Sequence, residues 1–509
     1  MRLWLTIFLL AVTVGSLFFL SPLTVLVAIV GVAVLLVTAF RPLMTLAALA
    51  AYLPFEPVIL KYTPDEIYLY ARFFSEGIIY LLAAVVAWRV LKGTCRARPT
   101  PIDLPFVLFL VILLASSLVN AVEPSIAILG SRQILRFILI FYIVVYLKPD
   151  RAYVRTLTGI MFLVVGVESL IGLTQSFVGT PMDTFLLPSE SHSFGGITLT
   201  GGVAQFWDPG SRIFATLGRY DCLGNFLYFF LLIAVGLFYE LRNKAGVVGE
   251  HVARLLSSRS DLIPLFLLGI PALILTYSRS SWFAFLLGFL FIGAVMKRDR
   301  RVVIAFASCA IVAAAYIGVS GLNVRFITEA PGQTLVERFY ETFSYARWRG
   351  EYYGLGRLFW MVQTPLTVIP ASPLFGFGPG QFGGGAVAAL GNGSVYEQLG
   401  LPYGVYGTEG IIDNNWFSLW GETGTLGLIF FLWIYVAILR QCLRVYRTSR
   451  DAHTRAIAIG TMAALLGVAL NAFLSTVFEI RTLAFYLWMY AGFVVVFAEE
   501  NRKGKPYES

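Results

Sequence analysis

The sequence predicts an all-α polytopic membrane protein with about 14 transmembrane helices and one long external loop. Hydrophobic residues make up 58% of the 509 residues and charged residues only 13%, whereas a soluble domain carries roughly 25% charge. Apolar runs near the 20 residues needed to cross a bilayer recur along the chain. Lysines and arginines lie in short connections between these runs, which is an orientation signal. The net charge of +9 therefore does not indicate a nucleic-acid partner.

Fourteen stretches are long and apolar enough to be candidate spans. They are 3–20, 22–40, 42–60, 73–91, 104–120, 132–147, 156–178, 217–239, 261–278, 280–296, 302–320, 416–439, 456–476 and 483–499. No small-x-small cleavage site follows the first stretch, so we interpret it as a retained span rather than a signal peptide. Pro54 and Pro57 interrupt the third stretch.

The basic clusters fall on one side of the membrane if these spans are correct, and that side is the cytoplasm. Both termini are then cytoplasmic. The external segments are 61–72, 179–216 and 321–415. The last is too long for a bare connection, so we expect it to carry short amphipathic helices. The chain divides into N-terminal helices (1–210), central helices (211–320), this external loop (321–415) and C-terminal helices (416–509).

Metal and nucleotide signatures are missing from the sequence. The four cysteines form no CxxC pair, and neither HExxH nor GxxxxGK[ST] occurs. We therefore predict no metal site and no cofactor.

Arginines on the predicted external side are the first functional candidates. The long loop holds five arginines and no lysine: Arg325, Arg338, Arg347, Arg349 and Arg357. Arg212 and Arg219 flank the outer end of the span at 217–239, and Arg279 lies between two apolar runs. Arginine favours bidentate recognition of phosphate oxygens, which fits a lipid-linked pyrophosphate.

Two structural alternatives compete with that interpretation. Arg338 and Arg347 could pair with glutamates of the loop, namely Glu329, Glu337, Glu341 and Glu351. Arg279 could extend to lipid headgroups, although an unpaired charge between apolar runs is by default a functional candidate.

Three stretches resemble the O-antigen ligase/polymerase superfamily of bacterial envelope glycan enzymes. The first is SRIFATLGRYDCLGNFL at 211–227, and the second is LTYSRSSWFAFLLGFL at 275–290. The third combines GRLFWMVQTPLTVIPASPLFGFGPGQFGG at 356–384 with DNNWFSLWGETGTLGLIFF at 413–431. The order and spacing of the set, more than any single motif, carry the resemblance.

The resemblance implies a GT-C-like, metal-independent, inverting glycosyltransferase in the bacterial inner membrane. Its donor would be an undecaprenyl-pyrophosphate-linked glycan, and its other partners would be membrane lipid, a glycan acceptor and envelope assembly proteins. By position, Arg279, Arg357 and Arg212 would hold the leaving pyrophosphate, and Arg219 would help bind substrate. Preorganised guanidinium groups stabilise the charge that grows on such a leaving group.

One departure from the family pattern concerns the general base. Ligases of this family usually carry a histidine followed by asparagine, where this chain has Asp413 and Asn414. Asp413 could be the base, or it could merely cap the following helix. Asn414 would then contact substrate. The missing histidine favours a polymerase of lipid-linked O-antigen or exopolysaccharide repeat units over a ligase acting on lipid A core or protein.

The sequence leaves alternatives for the roles of two carboxylates inside predicted spans and of one run of glycines. Glu422 could bind substrate or orient Arg279, and Glu168 could pair with an arginine or mark a proton path. Gly376, Gly378 and Gly380 could approach a ligand or form a tight turn.

A glycan, lipid or anion transporter is the rival class of function, but internal repeats are not visible in the sequence. A non-catalytic scaffold is a third option.

Overall fold

The computed structural model describes residues 22–95, 98–188, 192–194, 197–199, 212–241, 259–320, 335–404 and 410–503. The predicted first span at 3–20 lies outside the described residues. Helices dominate the described chain, as predicted. The strand pair found among the described residues is a short antiparallel pair of β1 (His192–Phe194) and β2 (Ile197–Leu199).

The first half of the chain forms helices α1 to α9. Their bounds are α1 Pro22–Phe40, α2 Pro42–Tyr52, α3 Glu56–Lys61, α4 Asp65–Leu91, α5 Asp103–Val119, α6 Pro124–Leu135, α7 Ile138–Leu147, α8 Arg151–Val178 and α9 Thr180–Leu186.

The second half forms helices α10 to α22. Their bounds are α10 Tyr220–Glu240, α11 Ile263–Leu275, α12 Arg279–Leu290, α13 Arg300–Ser320, α14 Leu335–Glu341, α15 Tyr345–Tyr353, α16 Arg357–Gln363, α17 Ile369–Ala371, α18 Gly385–Leu390, α19 Ser394–Gln398, α20 Asn415–Thr448, α21 Ala452–Asn471 and α22 Arg481–Lys503. A π-helical turn, Phe291–Met296, extends α12.

Seven helices in the described part of the chain are long and apolar enough to cross a membrane: α4, α8, α10, α12 with its π-helical extension, α20, α21 and α22. The pair α6 and α7 makes an eighth if it is one span, bent by 52°. Shorter apolar helices occur at Ile29–Phe40, Pro42–Tyr52, Asp103–Val119 and Ser260–Leu275. The chain is a multi-pass membrane protein, and the count of about 14 spans stays a prediction.

Two predicted spans are not straight helices. The stretch 42–60 breaks between α2 and α3, because Pro54 and Pro57 cannot donate the backbone hydrogen bonds that a continuous helix needs. The stretch 132–147 bends at Arg136, which ion-pairs with Glu76 of α4 at 3.5 Å.

Helix α10 lies at the centre of the bundle and is buried on all sides over most of its length. It packs closely on α21 through glycines. A Cβ at Gly236 would lie 2.6 Å from the carbonyl oxygen of Ala456, and a Cβ at Gly460 would lie 2.6 Å from the Cα of Ile233. Small residues at such contacts let helix backbones approach in a membrane.

The long segment between α13 and α20 carries six short helices, α14 to α19, as expected from its sequence. It has its own small core, in which the rings of Phe382 and Tyr396 stack 5.4 Å apart and Trp360 packs edge-on against both. This core fixes the segment as a folded unit above the bundle.

A glycine loop at 376–384 joins this unit to α20. Helix α20 is broken at Gly424, whose φ is 66°. The loop fits into the break: the amides of Phe377 and Gly378 donate to the carbonyl oxygens of Gly421 and Glu422, at 2.9 Å each. The two glycine-containing motifs of the sequence therefore pack against each other.

Candidate functional site

Arg279 is the first residue of α12, and hydrogen bonds of buried polar side chains near it fix the start of this helix. Ser281 donates to Asn225 of α10 at 3.1 Å, and Asn225 accepts from Asn471 of α21 at 2.6 Å. These side chains are buried. Arg279 is therefore held where three helices of the bundle meet.

Three arginines converge on the carboxylate of Glu341, at the end of α14. Arg279 Nη1 and Arg338 Nη1 lie 3.2 and 3.3 Å from its Oε2, and Arg347 Nη1 lies 3.3 Å from its Oε1. Glu341 is only 1% exposed. The pairing of Arg338 and Arg347 with loop glutamates is confirmed. Arg279 is 13% exposed and turns to this carboxylate, so it does not extend to lipid headgroups.

Arg357 belongs to the same cluster of charges. Glu351, which also ion-pairs with Arg347, accepts a hydrogen bond from the Arg357 amide at 3.0 Å. The Arg357 guanidinium acts electrostatically on Arg279 and lies 3.3 Å from Asp413 Oδ2. The two predicted arginines of the pyrophosphate clamp thus lie within one site.

Arg212 and Arg219 border this site from the start of α10. The Arg212 guanidinium stacks on the Tyr220 ring at 4.4 Å. Arg219 binds Asp221 through two hydrogen bonds of 3.0 Å, and the charge of Asp413 also acts on it. Tyr220 links Arg212 and Arg219, because its ring stacks on Arg212 and it follows Arg219 in the chain. The sequence analysis missed this residue. The signal that could have identified it is the GRYD stretch, in which an aromatic residue lies between an arginine and an aspartate.

Asp413 does not cap α20. The cap is Asn414, which is fully buried and accepts a hydrogen bond from the amide of Phe417 at 3.1 Å. Asp413 itself adopts φ 49° and is 42% exposed, with its carboxylate beside Arg357. The Asn414 side chain thus has a structural role, and its predicted contact with substrate stays a prediction.

Strained backbone surrounds the site. Seven non-glycine residues of the described chain have positive φ, and four of them adjoin site arginines: Ala215, Tyr277, Leu355 and Asp413. Such conformations cost about 1–3 kcal/mol each and persist where surrounding structure enforces them, commonly at functional sites. The strained residues therefore lie in the same stretches as Arg212, Arg279, Arg357 and Asp413.

Positive charge exceeds negative charge at this point. Burial and, after it, repulsion from Arg212 lower the pKa of the Arg338 guanidinium to about 10, although Glu341 opposes both. At Arg357, burial also lowers the pKa, but Asp413 and Glu351 outweigh it and raise the pKa above its ordinary value. Both groups stay protonated at neutral pH, and arginines outnumber carboxylates among the described residues of the site.

Two buried nitrogens in the cluster donate no hydrogen bond to any group in the described residues. They are Arg279 Nη1, which is only at ion-pair distance from Glu341, and Arg357 Nε. Burying an unsatisfied donor is costly unless something pairs with it. An anion with several oxygens would satisfy both nitrogens and neutralise the excess charge.

The other carboxylate candidates lie elsewhere. Glu422 accepts a hydrogen bond from the Gly380 amide at 2.8 Å, and no contact in the described chain joins it to Arg279. Glu168 is fully buried and accepts from the amide of Thr216 at 3.1 Å. It pairs with no arginine among the described residues, and instead fixes the stretch that follows Arg212.

The glycine run forms a turn, as favoured from the sequence. Gly376, Gly378 and Gly380 have φ of 68°, 104° and 77°, values that glycine adopts without steric cost. The amides of Gly378 and Gly380 donate to Glu422 of α20, and the amide of Gly376 donates to the carbonyl oxygen of Ser372. The groups of three or more His, Cys, Asp and Glu needed to hold a metal are not found among the described residues.

Together the bundle and the arginine cluster define a multi-pass membrane protein with a group of arginines at one end of its helices. Residues 264–432 match a family model described as O-antigen ligase. This region, about a third of the chain, belongs to the O-antigen ligase/polymerase superfamily, which confirms the resemblance drawn from the motifs. Arg279, Arg357 and Asp413 all fall within it. No curated protein matches the sequence.

Proposed function

We propose that the chain is a membrane glycosyltransferase that polymerises undecaprenyl-pyrophosphate-linked repeat units of an O-antigen or exopolysaccharide. The supporting observation is that Arg279 and Arg357, from separate stretches, belong to one cluster of charges that Glu341 and Glu351 hold together. The family match supports glycan transfer in general. The proposed location is the outer face of the inner membrane, with both termini in the cytoplasm.

The proposed reaction is a single inverting displacement. An acceptor hydroxyl attacks the anomeric carbon of the donor glycan, a new C–O bond forms, and the bond from that carbon to the pyrophosphate oxygen breaks. The pyrophosphate leaves with the electron pair. Arg279 and Arg357, with Arg212 and Arg219 at the rim, stabilise the growing charge and supply the compensation that a metal ion provides in other enzymes.

Asp413 is the proposed general base in this reaction. It is exposed, adjoins Arg357 and is released from any capping role by Asn414. It can therefore accept the proton of the acceptor hydroxyl close to the leaving group that Arg357 holds. Glu341 and Glu351 are positioning residues, because they hold the arginines and are largely buried.

A ligase is the second candidate, because the matching family model carries that description. The two candidates share the donor and the arginine site and differ in the acceptor. A polymerase uses a second lipid-linked repeat unit, whereas a ligase uses lipid A core or a protein.

The test is glycan transfer by purified protein in detergent. We expect Arg279→Ala and Arg357→Ala each to lower the rate by about 100-fold or more, the typical effect of removing one transition-state donor. Arg349→Ala is the matched control, because Arg349 is exposed on the same segment and contacts Tyr353 at 5.6 Å. Arg279→Lys keeps the charge and separates misfolding from loss of the planar group.

The products distinguish the alternatives. A ladder formed from lipid-linked repeat units alone supports the polymerase, and product only on addition of lipid A core supports the ligase. Full transfer by both alanine variants would overturn the proposed clamp. Movement of glycan or lipid across vesicles without a new glycosidic bond would favour a transporter.

A further inference from the structure

The chain between Arg212 and Arg219 is buried, although its regular structure is limited to one short 3-10 turn, Ala215–Leu217. The side chains of residues 213–217 are at most 5% exposed. Buried backbone amides need hydrogen-bond acceptors, and away from water only the protein can supply them. The acceptors for this stretch must therefore come from its neighbours.

One face of α8 supplies acceptors for three consecutive amides of this stretch. Gln175 Oε1 accepts from the amides of Phe214 and Ala215, at 3.0 and 2.9 Å. Glu168 Oε2 accepts from the amide of Thr216 at 3.1 Å. Glu168 and Gln175 lie about two turns apart on the helix, so both face the stretch. Together they act as a template for its backbone.

The two template side chains are themselves fixed by further hydrogen bonds. Gln175 Nε2 donates to Asp183 of α9 at 2.6 Å. The Thr216 hydroxyl contacts Glu168 and donates to the carbonyl oxygen of Pro54 at 2.9 Å. Glu168 is fully buried and Gln175 is 1% exposed. Polar side chains inside a span are costly and commonly serve a function, and here both serve the same stretch of backbone.

That stretch begins directly after Arg212, which borders the arginine cluster. The Arg212 guanidinium stacks on Tyr220, and its charge acts on Arg338. We propose that Glu168 and Gln175 are positioning residues, which hold the backbone after Arg212 so that its guanidinium stays in the pyrophosphate clamp. The inference rests on the proposed function and deepens it, because it extends the clamp to two uncharged contacts inside α8.

Binding of inorganic pyrophosphate to the purified full-length protein in detergent tests the proposal. Glu168→Leu and Gln175→Leu remove the acceptors and should each raise the Kd by about tenfold or more, the loss expected for one hydrogen bond to a charged group. Glu168→Gln should keep a Kd close to that of the wild type. Its oxygen can accept from the Thr216 amide, and its NH2 group can donate to the Thr216 hydroxyl.

Thr158→Val is the matched control for these substitutions. Thr158 is a buried polar residue of the same helix, and its hydroxyl lies 3.0 Å from that of Tyr490. The Kd of this variant should match that of the wild type. A wild-type Kd in both leucine variants, or a Kd for Glu168→Gln as high as that for Glu168→Leu, would overturn the template.

A second set of variants separates positioning of Arg212 from a general effect on stability. Residues that act through one group are not additive with its removal. In an Arg212→Ala background, Glu168→Leu and Gln175→Leu should therefore raise the Kd little further. Losses that add in full to that of Arg212→Ala would show that the two residues do not act through this arginine.

Amide hydrogen exchange reports on the stretch without any ligand. Exchange of residues 213–217 should be faster in both leucine variants than in the wild type, and unchanged in Thr158→Val. Unchanged exchange in the leucine variants would contradict the template. Faster exchange with a wild-type Kd would contradict the positioning of Arg212.

Glycan transfer distinguishes this inference from the proposed function. The expected pattern of pyrophosphate affinities without any transfer by the wild type would contradict the proposed function while sustaining the positioning role. Transfer by both leucine variants with the kcat and donor KM of the wild type would overturn the positioning role and leave the proposed function intact.

Discussion

The guanidinium of Arg279 lies 3.2 Å from the carboxylate of Glu341, although one begins a bundle helix and the other ends a short helix of the long segment. This contact joins the two parts of the protein at the candidate site. It places Arg338 and Arg347 around the same carboxylate. The long segment is therefore fixed to the bundle by the charges that the proposed reaction uses.

Replacing Glu341 by glutamine should destabilise the protein and increase its dependence on an anion. The buried carboxylate compensates three arginines, and breaking a buried pair typically costs about 3–5 kcal/mol. We expect Glu341→Gln to lower the Tm in detergent, and inorganic pyrophosphate to raise the Tm more in this variant than in the wild type.

Glu397→Gln is the control for this substitution, because Glu397 lies on another short helix of the same segment, α19, and is exposed. Its Tm should match that of the wild type. An unchanged Tm in Glu341→Gln, or an equal response of all three proteins to pyrophosphate, would contradict a cationic site organised by Glu341.

A side chain at Gly424, where α20 is broken, should destabilise the protein through steric contacts as well as through backbone conformation. Gly424 and Gly391 have nearly equal φ, 66° and 63°, but a Cβ at Gly424 would lie 2.3 Å from the Leu374 carbonyl oxygen, whereas Gly391 has nothing within 4 Å. Gly391→Ala should cost about 1–2 kcal/mol for left-handed backbone alone. Gly424→Ala should cost clearly more, because backbone must also move.

Thermal unfolding of the two alanine variants in detergent measures this difference. Equal losses of Tm would show that the glycine loop does not need close contact with α20. The two glycine motifs would then require another explanation, such as direct contact with a ligand.

The membrane class, the short helices of the long segment and the candidate arginines could all be predicted from the sequence. Apolar runs and charge placement are local signals. The pairing of Arg338 and Arg347 with loop glutamates was also predictable, since these groups are near in sequence. Arg279 pairs with Glu341, which is 62 residues away in the sequence, and nothing in the local sequence pattern specifies such a contact.

The sequence alone does not decide between structural alternatives of nearly equal energy. Asp413 and Asn414 are both good caps, and the choice between them depends on the left-handed backbone at Asp413. The bend at Arg136 likewise depends on Glu76 in another helix. The sequence predicts that Glu422 binds substrate or orients Arg279, whereas in the structure it accepts a hydrogen bond from the Gly380 amide.

The Glu479 carboxylate should make stability pH-dependent. Desolvation raises the pKa of Glu479 above its ordinary value of 4.5, and hydrogen bonds from Gln133 and the Gly385 amide only partly oppose this. A raised pKa means that the folded state favours the protonated form, so the stabilisation is present at low pH and is lost as pH rises through the folded pKa.

Glu479→Gln should remove this dependence, because the amide stays neutral and keeps an oxygen for the Gly385 amide, 2.8 Å away in the wild type. We expect the Tm of Glu479→Gln to exceed that of the wild type at pH 8, and the difference to shrink as pH falls toward 4.5. Exposed Glu397→Gln is the control and should show no such trend. A lower Tm for Glu479→Gln at pH 8 would show that the ionised carboxylate stabilises the fold.

Substitutions at Asp413 and at Asn414 should separate an effect on catalysis from an effect on stability. If Asp413 is the base, Asp413→Asn should lower kcat by about 100-fold or more, the usual contribution of general base catalysis. Its Tm should stay close to that of the wild type, because Asp413 does not cap α20. Asn414→Ala should show the reverse: a loss of about 1 kcal/mol in the free energy of unfolding from the missing cap, with a smaller effect on kcat.

The division between kcat and KM decides what Asp413 does. Loss of a base lowers kcat at saturating donor and acceptor, whereas loss of a residue that merely orients Arg357, 3.3 Å away, weakens donor binding and raises KM. A variant with normal kcat and raised donor KM would make Asp413 a positioning residue and leave proton removal to another group. Normal values of both would remove Asp413 from the mechanism, while the arginine site would still rest on Arg279 and Arg357.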